Sequence, residues 1–375
     1  MIKLPGLIDP HVHVREPGQT HKEDWDTATQ AALAGGVTMI LAMPNTRPPI
    51  FDESTLNLSL DAANTKARCD YGQYLGAGPG NAAEVARLAS RAAALKMYLD
   101  STFGELRLDD MTLWLEHFRR WPGPGPIVLH AESRSMAAAL AFAQMFNQQV
   151  HIAHVSLREE ILLIKAAKER GVKVTCEVCP HHLFLTKPSP PPPSPENIPL
   201  SSPHFPLGKW GDRGGLGEGR HEVRPRLATQ ADVDALWDNL DVIDCFATDH
   251  APHTLAEKDG ENPPPGFPGL ETLLPLLLTA ADDGRLTIDD IVKKSVVNPR
   301  KIFNLPEQPE TWVEVDETAE YELRASEMKS RCGWTPFEGW KVKGRVRKVI
   351  LRGREVARDG EILAKPGFGK DVRAR

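Results

Sequence analysis

The 375-residue sequence has few cysteines and none of the spacing that a disulfide framework leaves. Cys69, Cys176, Cys179, Cys245 and Cys332 are odd in number and irregularly placed, which points to a reducing compartment. No apolar run is long enough to span a bilayer. The N-terminus enters strand-like sequence within a few residues and shows no signal-peptide pattern, so a cytoplasmic protein without membrane contact is expected. The formal net charge is −6, so no global basic field is available for nucleic acid. No Gly-x-Gly-x-x-Gly opens a helix after a strand, and a dinucleotide site is unsupported. What remains is a globular composition, long enough for one large barrel or two ordinary domains.

Apolar, strand-like runs recur along most of this length. They fall at residues 4–8, 37–43, 71–77, 95–99, 126–130, 150–155, 172–178 and 242–247. Helical patterns lie between most of them, at 23–34, 81–94, 133–146, 158–170 and 230–240, the first closed by Gly35 and Gly36. Continuous apolar strands alternating with helices imply a parallel sheet. Such units fit an α/β fold of the (β/α)8 TIM-barrel type, with chemistry at the C-terminal strand ends. An open doubly wound sheet is the alternative.

Two segments break the rhythm. Residues 187–226 begin with Pro188, Ser189 and the run Pro190 to Pro193, then turn Gly-rich and polar. This is too long and irregular for an ordinary barrel connection, and reads as an insertion with polyproline character at its start. After Leu305 the barrel pattern stops. Residues 344–353 alternate like a strand, and 354–364 resemble another with a turn at Asp359-Gly360. The expected division is a barrel over residues 10–305 carrying the 187–226 insertion. Residues 1–9 and 306–375 would supply a small β-subdomain and C-terminal extension.

Metal-ligand residue types gather at the strand ends. His11 and His13 close the first strand, and alternate strand residues point to one face. An isolated His-x-His is more often an ordinary strand pair. Here His130 ends strand five, His154 strand six and Asp249 strand eight. Imidazoles and a carboxylate converging at the mouth of a barrel would make a metal site. Lys96 lies inside the fourth strand, where burial of an unpaired ammonium is costly. Desolvation lowers a lysine pKa and frees the neutral amine. That amine can add carbon dioxide to form a carbamate able to bridge two cations. A lysine snorkelling to the rim and a Schiff-base lysine are the other readings.

With these residues in place, the sequence resembles the amidohydrolase superfamily. The stretches Gly6 to Gly18, Ala42 to Pro49 and Thr248 to His253 look like dihydroorotase in particular, over about residues 4–372. The likeness is to the dihydroorotase domain of the animal-type multifunctional pyrimidine-biosynthesis protein. That protein also carries carbamoyl-phosphate synthetase and aspartate transcarbamoylase. The resemblance implies two zinc ions per chain. One would be held by His11, His13 and Asp249, the other by His130 and His154, with carbamylated Lys96 between them. A water bridging two zincs is acidified to a pKa near ~7 and supplies hydroxide as nucleophile. Asp249 would hold its proton and pass it to the leaving ring nitrogen. The biosynthetic direction cyclises N-carbamoyl-L-aspartate to L-dihydroorotate. A homodimer is also implied.

The substrate is an anion with a ureido group. Arg15 can fork a carboxylate, and Asn45 can both donate and accept. The resemblance assigns Arg15, Asn45 and His253 to the substrate carboxylate. It adds Arg224 as a pocket residue, although a surface arginine is an equal reading there. Pro265 and Gly266 would offer backbone groups to the ring. Thr102 and Phe103 match a loop that closes over substrate and excludes water.

Other features carry less. Cys176 and Cys179 have Cys-x-x-Cys spacing without a second pair, and read as packed thiols. Glu177 is the candidate ligand for an additional metal known in some relatives. Those relatives have a cysteine where this chain has Ala153, which counts against a third metal. His181 and His182 read as structural or as hydrogen-bonding behind the ligands. His21, His117, His204 and His221 show no partner pattern. Two other functions stay open: an inactive dihydroorotase-like scaffold within a multienzyme, and a hydantoinase or dihydropyrimidinase. Arg15 and Asn45 count against the second, and the complete ligand set against the first.

Overall fold

Two strands separated by Gly6 begin the chain in the computed structural model, which describes residues 1–102, 104–187 and 218–374. A Cβ at Gly6 would collide with Thr38 and Thr311, so the chain passes there only without a side chain. β1 (Ile2–Pro5) buries only Leu4, whereas every residue of β2 (Leu7–Val12) is buried. That difference sorts them. β1 joins an outer antiparallel layer, and β2 is the first strand of the barrel. The expected strand at 4–8 therefore straddles two elements, and the expected boundary after residue 9 falls inside β2.

The barrel continues through β3 (Val37–Ala42), β4 (Asp70–Gln73), β5 (Leu75–Gly76), β6 (Leu95–Tyr98), β7 (Ile127–His130), β8 (Val150–Ile152), β9 (Val174–Val178) and β10 (Cys245–Phe246). Parallel ladders run β2-β3-β4 and β5-β6-β7-β8-β9-β10. β4 and β5 share one barrel position, interrupted at Tyr74, whose hydroxyl donates to Pro10 O at 2.8 Å. The circle closes through a parallel bridge between Val12 and His250, with His13 N donating to His250 O at 2.8 Å. These are the eight positions of a (β/α)8 barrel. β8 and β10 are short, and His154 and Asp249 follow just beyond their ends.

Helices pack outside this ring. Trp25–Ala34 starts at Asp24, whose side chain accepts from Thr27 N, and it buries Trp25, Ala28, Ala31, Ala32 and Leu33 on one side. The outer layer orders β1, β11 (Trp312–Glu322), β12 (Lys341–Leu351), β13 (Arg354–Arg358) and β14 (Glu361–Ile362), all antiparallel. The C-terminal tail leaves this layer and returns to the barrel. Tyr71 N donates to Lys370 O at 3.0 Å, and Arg373 donates to Phe303 O and Asn304 O at 2.6 and 2.8 Å. The core of the expected insertion, residues 188–217, lies outside the described residues.

Candidate functional site

Asp9 sets the register of the site. Its carboxylate accepts His11 N at 3.1 Å, Thr248 N at 3.2 Å and Thr248 Oγ1 at 2.5 Å. One buried side chain thus ties the two strand ends that carry His11, His13 and Asp249. His11 Nε2 and His13 Nε2 then approach a single atom, Asp249 Oδ1, at 3.2 and 3.0 Å. The outer nitrogens are occupied: His13 Nδ1 faces Asn45 Oδ1 at 2.7 Å, and His11 Nδ1 is hydrogen-bonded to Glu177. Asn45 Oδ1 and the Glu177 carboxylate can only accept, so each ring carries its hydrogen on Nδ1 and turns a lone pair inward. Two imidazole lone pairs and a carboxylate oxygen therefore face one another. Ligand atoms around a tetrahedral cation on ~2.0 Å bonds stand roughly 3.3 Å apart, close to this spacing.

The second group repeats the pattern. His130 Nδ1 and His154 Nε2 are 2.8 Å apart. Neither His130 Nε2 nor His154 Nδ1 has a hydrogen-bond partner among the described residues. Donor atoms of His11, His154 and Asp249 lie within 4.8 Å of one another, which joins the two groups. Lys96 is fully buried, and its Nζ finds no hydrogen-bond partner among the described residues. Burial pushes its pKa down to about 8 against the pull of Glu177 and Asp249. Burial also raises Asp249, opposed by His11 and Lys96, and holds His13 and His154 well below the usual imidazole range. His11, His13, Lys96, His130, His154 and Asp249 thus come to one place as the sequence suggested.

Arg15 (φ 61), His154 (φ 38) and Asp249 (φ 44) share a further property: each sits in the left-handed region without being glycine. Such residues cost about 1–3 kcal/mol apiece and persist where the surrounding structure imposes them.

Arg15, Asn45, Thr102, Arg224, Pro265 and Gly266 line the narrow cleft over these donors. Arg224, which its sequence context left level with a surface position, lies on the cleft wall. Its Nη1 donates to Glu222 Oε2 at 2.8 Å and Val223 O at 3.0 Å. Arg15 is buried, with Nε donating to Pro252 O at 3.1 Å. Asn45 has its carbonyl oxygen committed to His13, so any contact to substrate passes through its amide nitrogen. Phe103 lies outside the described residues.

The geometry gives three further candidates their surroundings. His253 is fully buried behind Arg15, outside the cleft wall. Its Nδ1 takes a hydrogen bond from Lys22 Nζ at 3.0 Å, and its Nε2 lies 3.1 Å from Pro265 O. Burial and then the cations Arg15, Lys22 and Lys258 keep the ring neutral. Its Nε2 contacts both Arg15 Nη2, at 3.0 Å, and Pro265 O, two residues of the cleft wall. Glu177 stands behind His11 and reaches His151 Nε2 at 3.1 Å, a contact pattern that an orienting carboxylate would also make. The backbone of Pro265 and Gly266 is largely spent internally: Gly266 N donates to Glu222 O at 3.0 Å, and Gly266 O accepts from Lys258 at 3.3 Å. The segment forms a wall. A Cβ at Gly266 (φ +145) would strike Ala251 O, so only glycine closes it.

Sequence reasoning missed Tyr98, which lines the cleft with a buried hydroxyl lacking any hydrogen-bond partner among the described residues. The signal was present: Tyr98 is two residues after Lys96 and shares its strand face. Lys22 and Lys258 were also missed. Their partners come from distant loops, and no local pattern announces them. A separate cavity between Glu271, Tyr321, Arg324 and Arg345 contains none of these donors in its lining.

Comparison with known proteins gives the geometry its family. Residues 2–104 match the amidohydrolase family. The chain is 53% identical over its full length to the multifunctional protein CAD of Squalus acanthias, of which it spans only 16%. It is 35% identical to a dihydroorotase of Pyrococcus furiosus, covering 97% of this chain and 83% of that protein. Among solved structures, L-hydantoinase from Arthrobacter aurescens shares the fold with a TM-score of 0.86 at 22% identity, over 99% of this chain and 88% of the other. The inactive dihydroorotase-like domain of the Chaetomium thermophilum CAD-like multifunctional protein superposes with a TM-score of 0.79 at 28% identity, over 99% of both chains. No helix among the described residues is long and apolar enough to cross a membrane. The chain belongs to the dihydroorotase family of the amidohydrolases.

Proposed function

We propose that this chain is an active, metal-dependent dihydroorotase that interconverts N-carbamoyl-L-aspartate and L-dihydroorotate. The observation that carries the reading is the convergence of His11 Nε2 and His13 Nε2 on Asp249 Oδ1 beside the unpartnered Nζ of Lys96. The donor set fits two divalent cations. His11, His13 and Asp249 would hold one, His130 and His154 the other, and Lys96, as a carbamate, would join them. Bound zinc would supply Lewis acidity and lower the pKa of the attacking water.

The chain's own groups account for the remainder. Asp249, raised by burial, takes a proton at Oδ1 or Oδ2 and delivers it to the ring nitrogen that leaves, or removes it in the cyclising direction. Arg15 meets the substrate carboxylate with its Nη1/Nη2 edge, because Nε is committed to Pro252 O. Arg224 adds a second cation to the same cleft, and Tyr98 adds a hydroxyl. Thr102 lines the same cleft. The walls exclude bulk water, which strengthens each of these contacts.

The relationship to a domain named as inactive makes the scaffold reading a real competitor. Every expected donor is present in this chain, which favours activity. A hydantoinase would have no use for a buried arginine facing the substrate. The likeness to CAD and pyr1-3 multifunctional proteins supports a place for this chain within a larger multienzyme; neighbouring carbamoyl-phosphate synthetase and aspartate transcarbamoylase domains, a cytoplasmic location and a homodimer are proposed on the sequence resemblance alone. The test is conversion of N-carbamoyl-L-aspartate by metal-depleted protein reloaded with zinc. Well-folded protein that binds two zincs yet leaves the substrate untouched would establish the scaffold reading.

A further inference from the structure

The Cys176–Cys179 spacing resolves differently from a pair of packed thiols. Cys179 gathers with His181 and His182: one ligand atom from each lies within 4.8 Å of the other two. The three side chains hang from a single turn. Cys179 caps the short helix Pro180–Phe184, with Pro180 opening it, and Cys179 O accepts His182 N at 2.9 Å and Leu183 N at 3.2 Å. All three are buried, at 0, 3 and 2% exposure.

Two ring nitrogens in this cluster have no partner. His181 Nε2 and His182 Nδ1 are enclosed without a hydrogen bond among the described residues. For His182 the tautomer follows from its other nitrogen: Nε2 lies 3.1 Å from Pro225 O and must carry the hydrogen, so Nδ1 bears a lone pair. An unsatisfied buried acceptor costs about 1–3 kcal/mol. The His181 ring is wedged edge-on against Phe267 at 5.4 Å between centroids, which holds it in place. One thiol and two imidazoles form a donor set suited to zinc-like cations, with a fourth position left for water.

We propose that Cys179, His181 and His182 form a further metal site, for a thiophilic divalent cation of the zinc type. It shares no residue with the set of His11, His13, Lys96, His130, His154 and Asp249, and it stands whether or not the dihydroorotase reading does. Metal binding there would remove the Cys179 thiol proton and use the lone pairs that the fold otherwise strands.

Sulfur separates the two sites experimentally, since only the new one contains it. Metal-free protein is titrated with cobalt(II), and the near-ultraviolet thiolate-to-cobalt charge-transfer band is followed. The band is expected in the wild type, absent from Cys179→Ser, and reduced in His182→Asn. It is expected to persist in His13→Asn, whose loss of activity reports on the other centre alone. A folded wild type saturated with cobalt that shows no thiolate band would overturn the proposal, as would a band that survives Cys179→Ser. X-ray absorption on the zinc-loaded wild type needs no variant: a sulfur scatterer at about 2.3 Å is expected, and its absence refutes the site.

Discussion

The ammonium of Lys258 lies 2.7 Å from the carbonyl oxygen of Glu222, and the same group donates to Pro264 O at 3.0 Å and Gly266 O at 3.3 Å. It is fully buried beside the rings of Phe267 and Trp334, each 5.5 Å from Nζ. Its hydrogen-bonding partners are thus backbone carbonyls from the two segments that carry Arg224 and the Pro265–Gly266 wall. Lys258 clamps those segments together. Lys258→Met keeps most of the volume and removes the clamp. KM for N-carbamoyl-L-aspartate is expected to rise about tenfold, or ~1.4 kcal/mol, with metal content unchanged. A fall in kcat alone at constant KM would contradict the clamp.

Lys96→Ala removes the donor placed between the two histidine groups. Metal content is expected to drop and activity to fall at least about a hundredfold, more than typical losses for residues behind the ligands. Short carboxylates such as acetate should restore part of the activity, because they replace the oxygens of a carbamate. Full activity in the variant, measured at saturating zinc, would exclude Lys96 from the centre.

Glu177 offers a sharper distinction, because its two readings differ in metal count. As the carboxylate that orients His11, its change to Gln should weaken metal affinity or activity about 10–100-fold and leave the number of bound metals as it was. Loss of one whole equivalent in titration with zinc would make Glu177 a ligand, the reading that Ala153 counts against in the sequence.

These cases show where the sequence was informative. The barrel strands were legible because strands buried on both faces are continuous apolar runs, and His130, His154 and Asp249 stood out at their ends. Lys96 was legible as a charge inside such a run. β11 went unseen because it buries only Val313 and Val315 strongly and leaves the remainder partly exposed, so it shows no clear pattern. The first strand was misplaced by two apolar residues, Leu4 and Ile8, which look alike in sequence and lie on opposite sides of the Gly6 break. Arg224 was undecidable locally: contacts from residues distant in sequence, Lys258 and Gly266 N to Glu222 O and His182 to Pro225 O, hold its segment at the cleft. His253 was recognised by motif, but its neighbours Lys22 and Pro265 fix its orientation, and neither is adjacent in sequence.

A pH prediction follows from Glu271, far from the metal donors. Its carboxylate accepts Lys329 N at 2.8 Å and Ser330 N at 3.0 Å, yet burial dominates and raises its pKa from 4.5 to about 7. Below the lower value both folded and unfolded chains hold the proton. Between the two, the unfolded chain releases a proton that the folded chain keeps, so stability declines as pH rises through about 7. Glu271→Gln preserves an acceptor and removes the titration. Its Tm relative to wild type should therefore improve on going from about pH 5 to about pH 8. A difference that is constant across that range would show that Glu271 titrates normally.

Arg15 distinguishes the orotate-type substrate from its cyclic relatives. The residue is held by Pro252 O at 3.1 Å and stands 3.0 Å from His253 Nε2, so its guanidinium plane is fixed before substrate arrives. Breaking a buried charge-assisted contact costs about 2–5 kcal/mol. Arg15→Ala should therefore abolish measurable cyclisation of N-carbamoyl-L-aspartate while both metals remain bound. Arg15→Lys keeps the charge but loses the planar fork and the Nε anchor, and should also raise KM. A ring substrate without a carboxylate, such as dihydrouracil, makes no use of that fork, so any slow hydrolysis of it should be little changed. If both variants keep wild-type kcat/KM for N-carbamoyl-L-aspartate, the carboxylate is recognised elsewhere and the substrate assignment fails, even with the metal centre intact.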